Sequence, residues 1–600
     1  MNDLLVYGIV MISLLGMGCL AQEERPNYVI AVASSMTKVH REAGRNSPAL
    51  LAEAAGKPLQ LDGARGEYVH GQVVIVPSEK DLSGVTWSSE PLQGPEGAAI
   101  PLRIRVVGYL KTKKPEYKVD FVGWWPDPLL SHLTTLDVPA AARQPLWVTV
   151  AIPREARPGM YEGRVRIGSS DGEHSVPVRL RVRSFEIPKT RHFRIANAYA
   201  EAYGQEAYGE AWTEELQWRY RQFILDHRLN IHNIYVHLVE VPVWNMSVEK
   251  LKRLRAGGQN VFFIDWIDKL HGISSRDPAL FAERCKIIDA FLKRAHEAGV
   301  PDEELWFYGF DESKPEGRAG LVTISKKLKE RFPQANLMTT ALFPDLGASD
   351  ELSQTIDAWC PATQNYEKWS GPGAADLSPQ ARAARDRGDA LGQTIPAWRP
   401  AAHDREKWEG AVAAARARGK QVWWYVCCGP NHPFANLFIE YPAIEARLLM
   451  GMMPWKYQSD GFLYYRLSIV PKSGRLMDDG PLCREDPASW RSWNGDGCLF
   501  YYGIDGPVST IRLENMTDGL EDYEYLWVLR DLADKLERSS LADTQQGAVA
   551  LQKARRCLEV PPSTVETLTW FTQDPAEVER VRSNIAEAIE ALLALGLEQD

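Results

Sequence analysis

From about residue 190 onward the chain alternates short apolar runs with helical ones, and this alternation limits the available folds more than any other feature. The runs Phe193–Ala198, Ile231–His237, Val261–Ile264, Leu305–Phe310, Leu337–Thr340, Ala358–Cys360, Val422–Cys427 and Gly461–Tyr465 read as strands. Helical periodicity fills most of the gaps, at 213–227, 277–298, 317–331, 405–419 and 440–453. Continuously apolar strands need cover on both faces, which a parallel sheet flanked by helices supplies. Eight of them in this rhythm predict a closed (β/α)8 TIM-type barrel over residues 188–537. The stretch 361–404, rich in Ala, Pro and Gly, reads as a long loop over the barrel mouth.

The flanking regions have other patterns. Residues 24–187 carry short alternating runs at Tyr68–Val76, Pro101–Tyr109, Leu146–Ile152, Tyr161–Ile167 and Ser175–Val182, separated by turn signals. That pattern predicts an N-terminal all-β sandwich closed by Pro188. Glu514–Leu536 reads as a helix, and 538–600 as a helical C-terminal tail packed on the barrel through Ile585, Ile589, Leu592 and Leu593. Residues 4–18 are uncharged and mostly apolar, too short for a comfortable span, so 1–21 reads as a signal peptide. The expected destination is the periplasm, the cell surface or the medium. Cleavage after Ala21 gives a soluble protein, while Cys19 also fits a lipoprotein acceptor. Both routes stand open, and a lipid anchor there is the one membrane association expected.

Charge and composition narrow the partners. The net charge of -10 and a pI near 5.8 argue against nucleic acid or an anionic membrane surface as a main partner. The 20 Trp suit a chain with large cores and sugar-stacking surfaces. The eight Cys and 12 His show no zinc spacing, and no phosphate-cradling glycine loop is present, so neither metal nor cofactor is expected. Cys427 and Cys428, as strand neighbours, are expected to face opposite ways. A Cys483–Cys498 bridge fits a loop, but free buried thiols are the simpler expectation.

Chemistry concentrates at one junction. The apolar strand Leu305–Phe310 stops abruptly at Asp311–Glu312, and carboxyl ends of barrel strands face the active site. Adjacent carboxylates in a partly dry site favour holding one proton, as a general acid requires. The plainer alternative has Asp311 capping the next segment and Glu312 pairing with Lys314 or Arg318. Around the same mouth, Tyr235, His237, Trp266, Asn365, Tyr366, Trp424 and His432 are candidate substrate-binding residues. Of Trp424 and Tyr425, at most one points inward. Asn436, Asp460 and Tyr464–Tyr465 lie near the same strand ends, Arg512, Glu514 and Asp518 read as structural ion pairs, and Glu521–Tyr525 as a solvated or loop-bracing face.

The string Tyr308–Glu316 (YGFDESKPE) resembles the catalytic segment of glycoside hydrolase family 123. The resemblance continues at 423–449, 455–465 and 495–526, covering most of the second half. It implies a sandwich followed by a barrel, no cofactor, a glycan or glycoconjugate substrate, and retaining β-N-acetylgalactosaminidase activity assisted by the substrate. In that chemistry the 2-acetamido oxygen attacks the anomeric carbon. Carried over, Glu312 is the acid and base, and Asp311 orients the acetamido group. Two alternatives remain: a related glycosidase for another sugar with its own nucleophile, such as Glu440 or Asp265, and a non-catalytic carbohydrate-binding envelope protein.

Overall fold

A computed structural model describes residues 28–46, 54–235, 245–267, 278–365, 410–489 and 492–599. Residues 1–21, expected as a signal peptide, and Cys19 within them lie outside the described residues.

The N-terminal part forms two sheets. One orders Tyr28–Ser34, Tyr68–Pro77, Gln144–Ala151 and Arg103–Lys111, with Trp124–Leu130 also pairing to the last. The other orders Leu59–Arg65, Gly172–Glu186, Gly159–Ser169, Leu82–Ser89 and Leu136–Val138, with the short Leu92–Gln93 and Ala99–Ile100 at its side. Alternation decides the packing: in Gly172–Glu186, Val176, Val178, Leu180 and Val182 are buried while Pro177, Arg179 and Arg181 are exposed. Their buried faces meet Val73, Val106, Leu146 and Val148 of the first sheet in one core.

This layer is not built from the first 187 residues alone. Leu482–Cys483 adds a parallel strand to Arg103–Lys111. The last helix, Pro575–Leu593, lies against the strand Gly172–Glu186, where Arg183 joins Asp62 to Glu590. The tail thus packs on the sandwich as well as on the second half, and its path includes a hairpin, Val565–Thr567 with Trp570–Phe571.

The second half contains two parallel sheets. Five strands run in the order Phe262–Ile267, Leu305–Gly309, Asn336–Thr339, Ala358–Trp359 and Gln421–Val422. Three more run Arg194–Asn197, Gly461–Tyr464 and Trp424–Val426. The sheets meet at Trp423, between Gln421–Val422 and Trp424–Val426, so the ladders describe an arc. They do not show the expected closed eight-stranded barrel. Of Ile231–His237, expected as its second strand, the described residues contribute a single bridge, Asn233 to Ala198. Polar side chains do the joining there: Asn197 with Asn230, Gln259 with Ile231, and His232 between Asn197 N and Val261 O. Burial pushes the His232 imidazole down to about 3, so it is neutral. Its Nε2 accepts from the Asn197 N–H, which leaves Nδ1 to donate to Val261.

The helix Ile511–Glu537 is the shared beam of the molecule, capped by the Thr510 hydroxyl at Leu513 N. It corrects the reading of Glu521–Tyr525 as a solvated face: Glu521, Asp522, Glu524 and Tyr525 are all buried. Asp522 is held by Arg447 and Arg582, Glu524 by His192, and the Tyr525 hydroxyl donates to Glu67 of the sandwich. Near its start, Arg512 makes a two-pronged pair with Asp127 (2.7 and 2.9 Å) and donates to the carbonyls of Leu437, Gly495 and Cys498. Both partners are buried, and Asp127 also accepts from the Tyr501 hydroxyl. Arg512→Ala leaves the Asp127 charge buried without its counter-charge, and the expected loss is about 3–5 kcal/mol of stability. Urea titration checks this; a loss under about 1 kcal/mol would show that the Arg512–Asp127 pair does not hold the two halves together.

Candidate active site

The strand Leu305–Gly309 ends where side-chain space runs out. A Cβ on Gly309 would lie 1.8 Å from the Ile267 carbonyl oxygen, so only glycine lets the two strands stay this close. The Phe310 N–H then donates to the same carbonyl at 3.0 Å. Phe310 and Glu312 both adopt positive φ, 53° and 45°, and Ser313 N closes on Phe310 O. Left-handed backbone at residues other than glycine costs roughly 1–3 kcal/mol each and persists where surroundings enforce it. The turn projects Asp311 and Glu312 beyond the strand end rather than letting the strand continue.

Neighbouring strands fix both acids. Tyr308 Oη and Thr340 Oγ1 donate to the same atom, Asp311 Oδ1, at 2.5 and 2.8 Å. No hydrogen bond to Oδ2 comes from the described residues, so they leave its acceptor capacity unused. The Thr340 hydroxyl also accepts from Glu312 N at 3.0 Å, so one side chain sets the relative position of the two acids. Glu312 Oε1 accepts from Tyr425 Oη at 2.5 Å. Burial first, and then the facing carboxylates, hold the Tyr308 and Tyr425 phenols far above their ordinary range, so both stay protonated donors. Tyr425→Phe is expected to lower kcat/KM about 10-fold or more, the cost of one hydrogen bond to a charged group. A kcat/KM within about 2-fold of wild type would remove Tyr425 from the control of Glu312.

Of the other expected site residues, Tyr235 and Trp266 do gather here. Their rings lie 4.7 Å apart, and both flank Tyr308, at 6.0 and 5.5 Å. Burial and then the Asp311 charge raise the Tyr235 phenol well above its ordinary range. Asn365 is half-buried beyond the strand Ala358–Trp359, with its N–H on Ala362 O. Trp424 is a correction. Strand alternation turns Trp423 and Tyr425 inward, so Trp424 packs outward among the helices, fully buried near Tyr457. His432 is another: it stacks on Tyr441 at 3.7 Å, near Glu445, and burial pushes it down to about 4. Asp460 precedes its strand, binds Val422 N and lies at the opposite end. His237 and Tyr366 are outside the described residues.

The two alternative nucleophiles are engaged elsewhere. Asp265 is clamped by both prongs of Arg284 and by Trp266 N. Glu440 accepts from Tyr117 and from Asn494, at the sandwich side. Three residues that matter were not singled out in the sequence: Tyr308, Thr340 and Asp496. The first two are polar hydroxyls at the carboxyl ends of apolar strands, which is the available signal. Asp496 sits in a loop, accepts from Tyr465 at 3.0 Å, and is pushed up to about 6 by burial.

The comparisons with known proteins agree with this architecture. The glycoside hydrolase 123 N-terminal domain matches residues 44–169, and the glycoside hydrolase 123 catalytic domain matches residues 384–529. The chain belongs to glycoside hydrolase family 123. The matched catalytic stretch begins after Asp311–Glu312 and includes Tyr425. A family 123 glycoside hydrolase from Clostridium perfringens, whose structure addresses glycolipid glycan hydrolysis, shares the fold with a TM-score of 0.60. The identity is 12%, over 95% of this family 123 chain and 100% of that one. A β-glucuronidase 3 from Bacteroides uniformis is more distant, with a TM-score of 0.25 and 9% identity over 78% of this chain and 50% of that one. Among curated protein sequences none matches this family 123 chain.

Proposed function

We propose that this family 123 glycoside hydrolase is a retaining exo-β-N-acetylgalactosaminidase that uses the substrate's own acetamido group as nucleophile. The observation that carries the reading is the pinned pair: two adjacent acids on one strained turn, each held by a different tyrosine. An ordinary retaining glycosidase needs its carboxyls about 5–5.5 Å apart across the sugar, on separate supports. Here the other candidate carboxylates, Asp265 and Glu440, are occupied by Arg284 and Tyr117.

In the proposed reaction Glu312 gives its proton to the glycosidic oxygen as that bond breaks. The acetamido carbonyl oxygen attacks the anomeric carbon on the opposite face, and an oxazolinium forms. Asp311 Oδ2 accepts the acetamido N–H, orienting the nucleophile and balancing its developing positive charge. Glu312, now a carboxylate, takes a proton from water, which opens the ring with net retention. Tyr235 and Trp266 would wall the sugar. The proposal includes closure of the strand arc into a barrel by residues 230–235, and export directed by residues 1–21, with Cys19 as a lipid acceptor in one of the two processing routes.

The test compares an aryl β-N-acetylgalactosaminide with its 2-hydroxy counterpart. Losing an intramolecular nucleophile should lower kcat/KM by roughly 10³-fold or more, given effective molarities of 10⁵ M and above. Comparable rates on the two would exclude substrate assistance.

A further inference from the structure

The strand Trp424–Val426 ends in the adjacent thiols of Cys427 and Cys428. Had the strand continued, they would face opposite ways. Instead the chain bends after Val426 and Cys427 N donates to Gly429 O at 2.8 Å. The bend brings both sulfurs to one side, with Sγ–Sγ 3.8 Å. Both residues are half-buried, unlike the four thiols sealed in the cores. Their surroundings are those of the catalytic pair. Tyr425, two residues earlier than Cys427, binds Glu312; the charges facing the thiols include Glu312 and Asp496. Of the other described cysteines, Cys285, Cys360, Cys483 and Cys498 are buried and free, which disposes of the Cys483–Cys498 bridge.

We propose that Cys427–Cys428 is a modification site: a vicinal dithiol beside the catalytic acid that closes reversibly to a vicinal disulfide by exchange with a small-molecule disulfide. The Cys428 thiolate attacks one sulfur of the reagent, giving a mixed disulfide and releasing one reagent thiolate. Cys427 then loses its proton to solvent and attacks Cys428 Sγ, expelling the second reagent thiolate. The protein pair loses two electrons and two protons, and the reagent disulfide is reduced to two thiols. The hydrogen bond between the sulfurs supports this order, lowering the Cys428 thiol and raising that of Cys427.

Two physical arguments make the closed form labile rather than a staple. Adjacent Cα atoms across a trans peptide are about 3.8 Å apart, below the ~4.4 Å lower end for ordinary disulfides, and strain favours reduction. A bridge between neighbours also closes almost no loop, so it confers little of the chain-entropy stabilisation that longer bridges give. What it changes is local: two polarisable thiols at the edge of the site become one rigid ring.

The folded protein, freed of reductant, is incubated with oxidised glutathione, quenched with an alkylating agent in denaturant, and digested with trypsin. The peptide 421–447 holds these two cysteines and no others. The expected product lacks two hydrogens, carries no alkyl group, and becomes doubly alkylated after dithiothreitol. Closure should be at least 10-fold faster in the folded protein than in urea, because the bend holds the sulfurs together. Cys428→Ser should yield only a singly blocked peptide, never the ring. A doubly alkylated or doubly glutathionylated wild-type peptide, or equal rates folded and unfolded, would overturn the proposal. None of these readouts depends on glycosidase activity, so they stand or fall apart from the proposed function.

Discussion

Glu312→Gln should lower kcat/KM on a glycan substrate by roughly 10²–10⁴-fold, the range general acid–base catalysis supplies. The glutamine is nearly isosteric and still accepts the Tyr425 hydroxyl through its carbonyl oxygen, so the turn and its contacts should survive. What disappears is the transferable proton. The loss should therefore depend on the leaving group. A sugar alcohol needs protonation as it departs and should show the full deficit, whereas a nitrophenolate departs unaided and should show less at the glycosylation step. Turnover of the oxazoline still requires a base, so with the activated substrate a burst followed by slow release is expected. A rate within 3-fold of wild type on the glycan would remove Glu312 from the reaction. Circular dichroism and the melting midpoint show whether any loss is a folding defect.

Asp311→Asn should be a different kind of lesion, with kcat reduced about 10²–10³-fold, the size seen when one electrostatic stabiliser is removed. Tyr308 and Thr340 both donate to Oδ1, so an asparagine carbonyl can satisfy that side. The other side then presents an N–H₂ donor to the acetamido N–H, donor against donor. The nucleophile is left misoriented and its positive charge unbalanced. KM should change little beside kcat, since the missing interaction strengthens as charge develops. The deficit should also shrink for a substrate lacking the acetamide, which never used Asp311. An unchanged rate on the acetamido substrate would break the assignment.

The place of the pair was legible in the sequence because apolar residues give way to acid within one step at Phe310–Asp311, a change that few surface loops show. The parallel strands were legible for a similar reason, being buried on both faces. Which of Trp424 and Tyr425 faces inward was not, because alternation fixes only their opposition and the register comes from Gly461–Tyr464 alongside. The acidic run on the long helix read as solvated because its counter-charges, Arg447 and Arg582, lie 75 and 60 residues away in sequence. Ile231–His237 looked like a strand by composition, yet around its described part the side chains of Asn197, His232 and Gln259 replace the ladder with bonds that no period announces. The thiol pair followed the strand pattern only up to Val426, where the bend begins.

The late strand in the sandwich bears on how the polypeptide is made. Arg103–Lys111 finds its parallel neighbour only when Leu482–Cys483 arrives, roughly 370 residues later. At about 5–20 residues per second, a ribosome needs on the order of 20–75 s to deliver it. Throughout that interval the nascent sandwich exposes an unpaired edge, a template for unwanted pairing, and Asp127 waits for Arg512. Completion of the first layer is therefore a late event in synthesis, and the nascent sandwich stays unfinished until the last third of the chain has emerged.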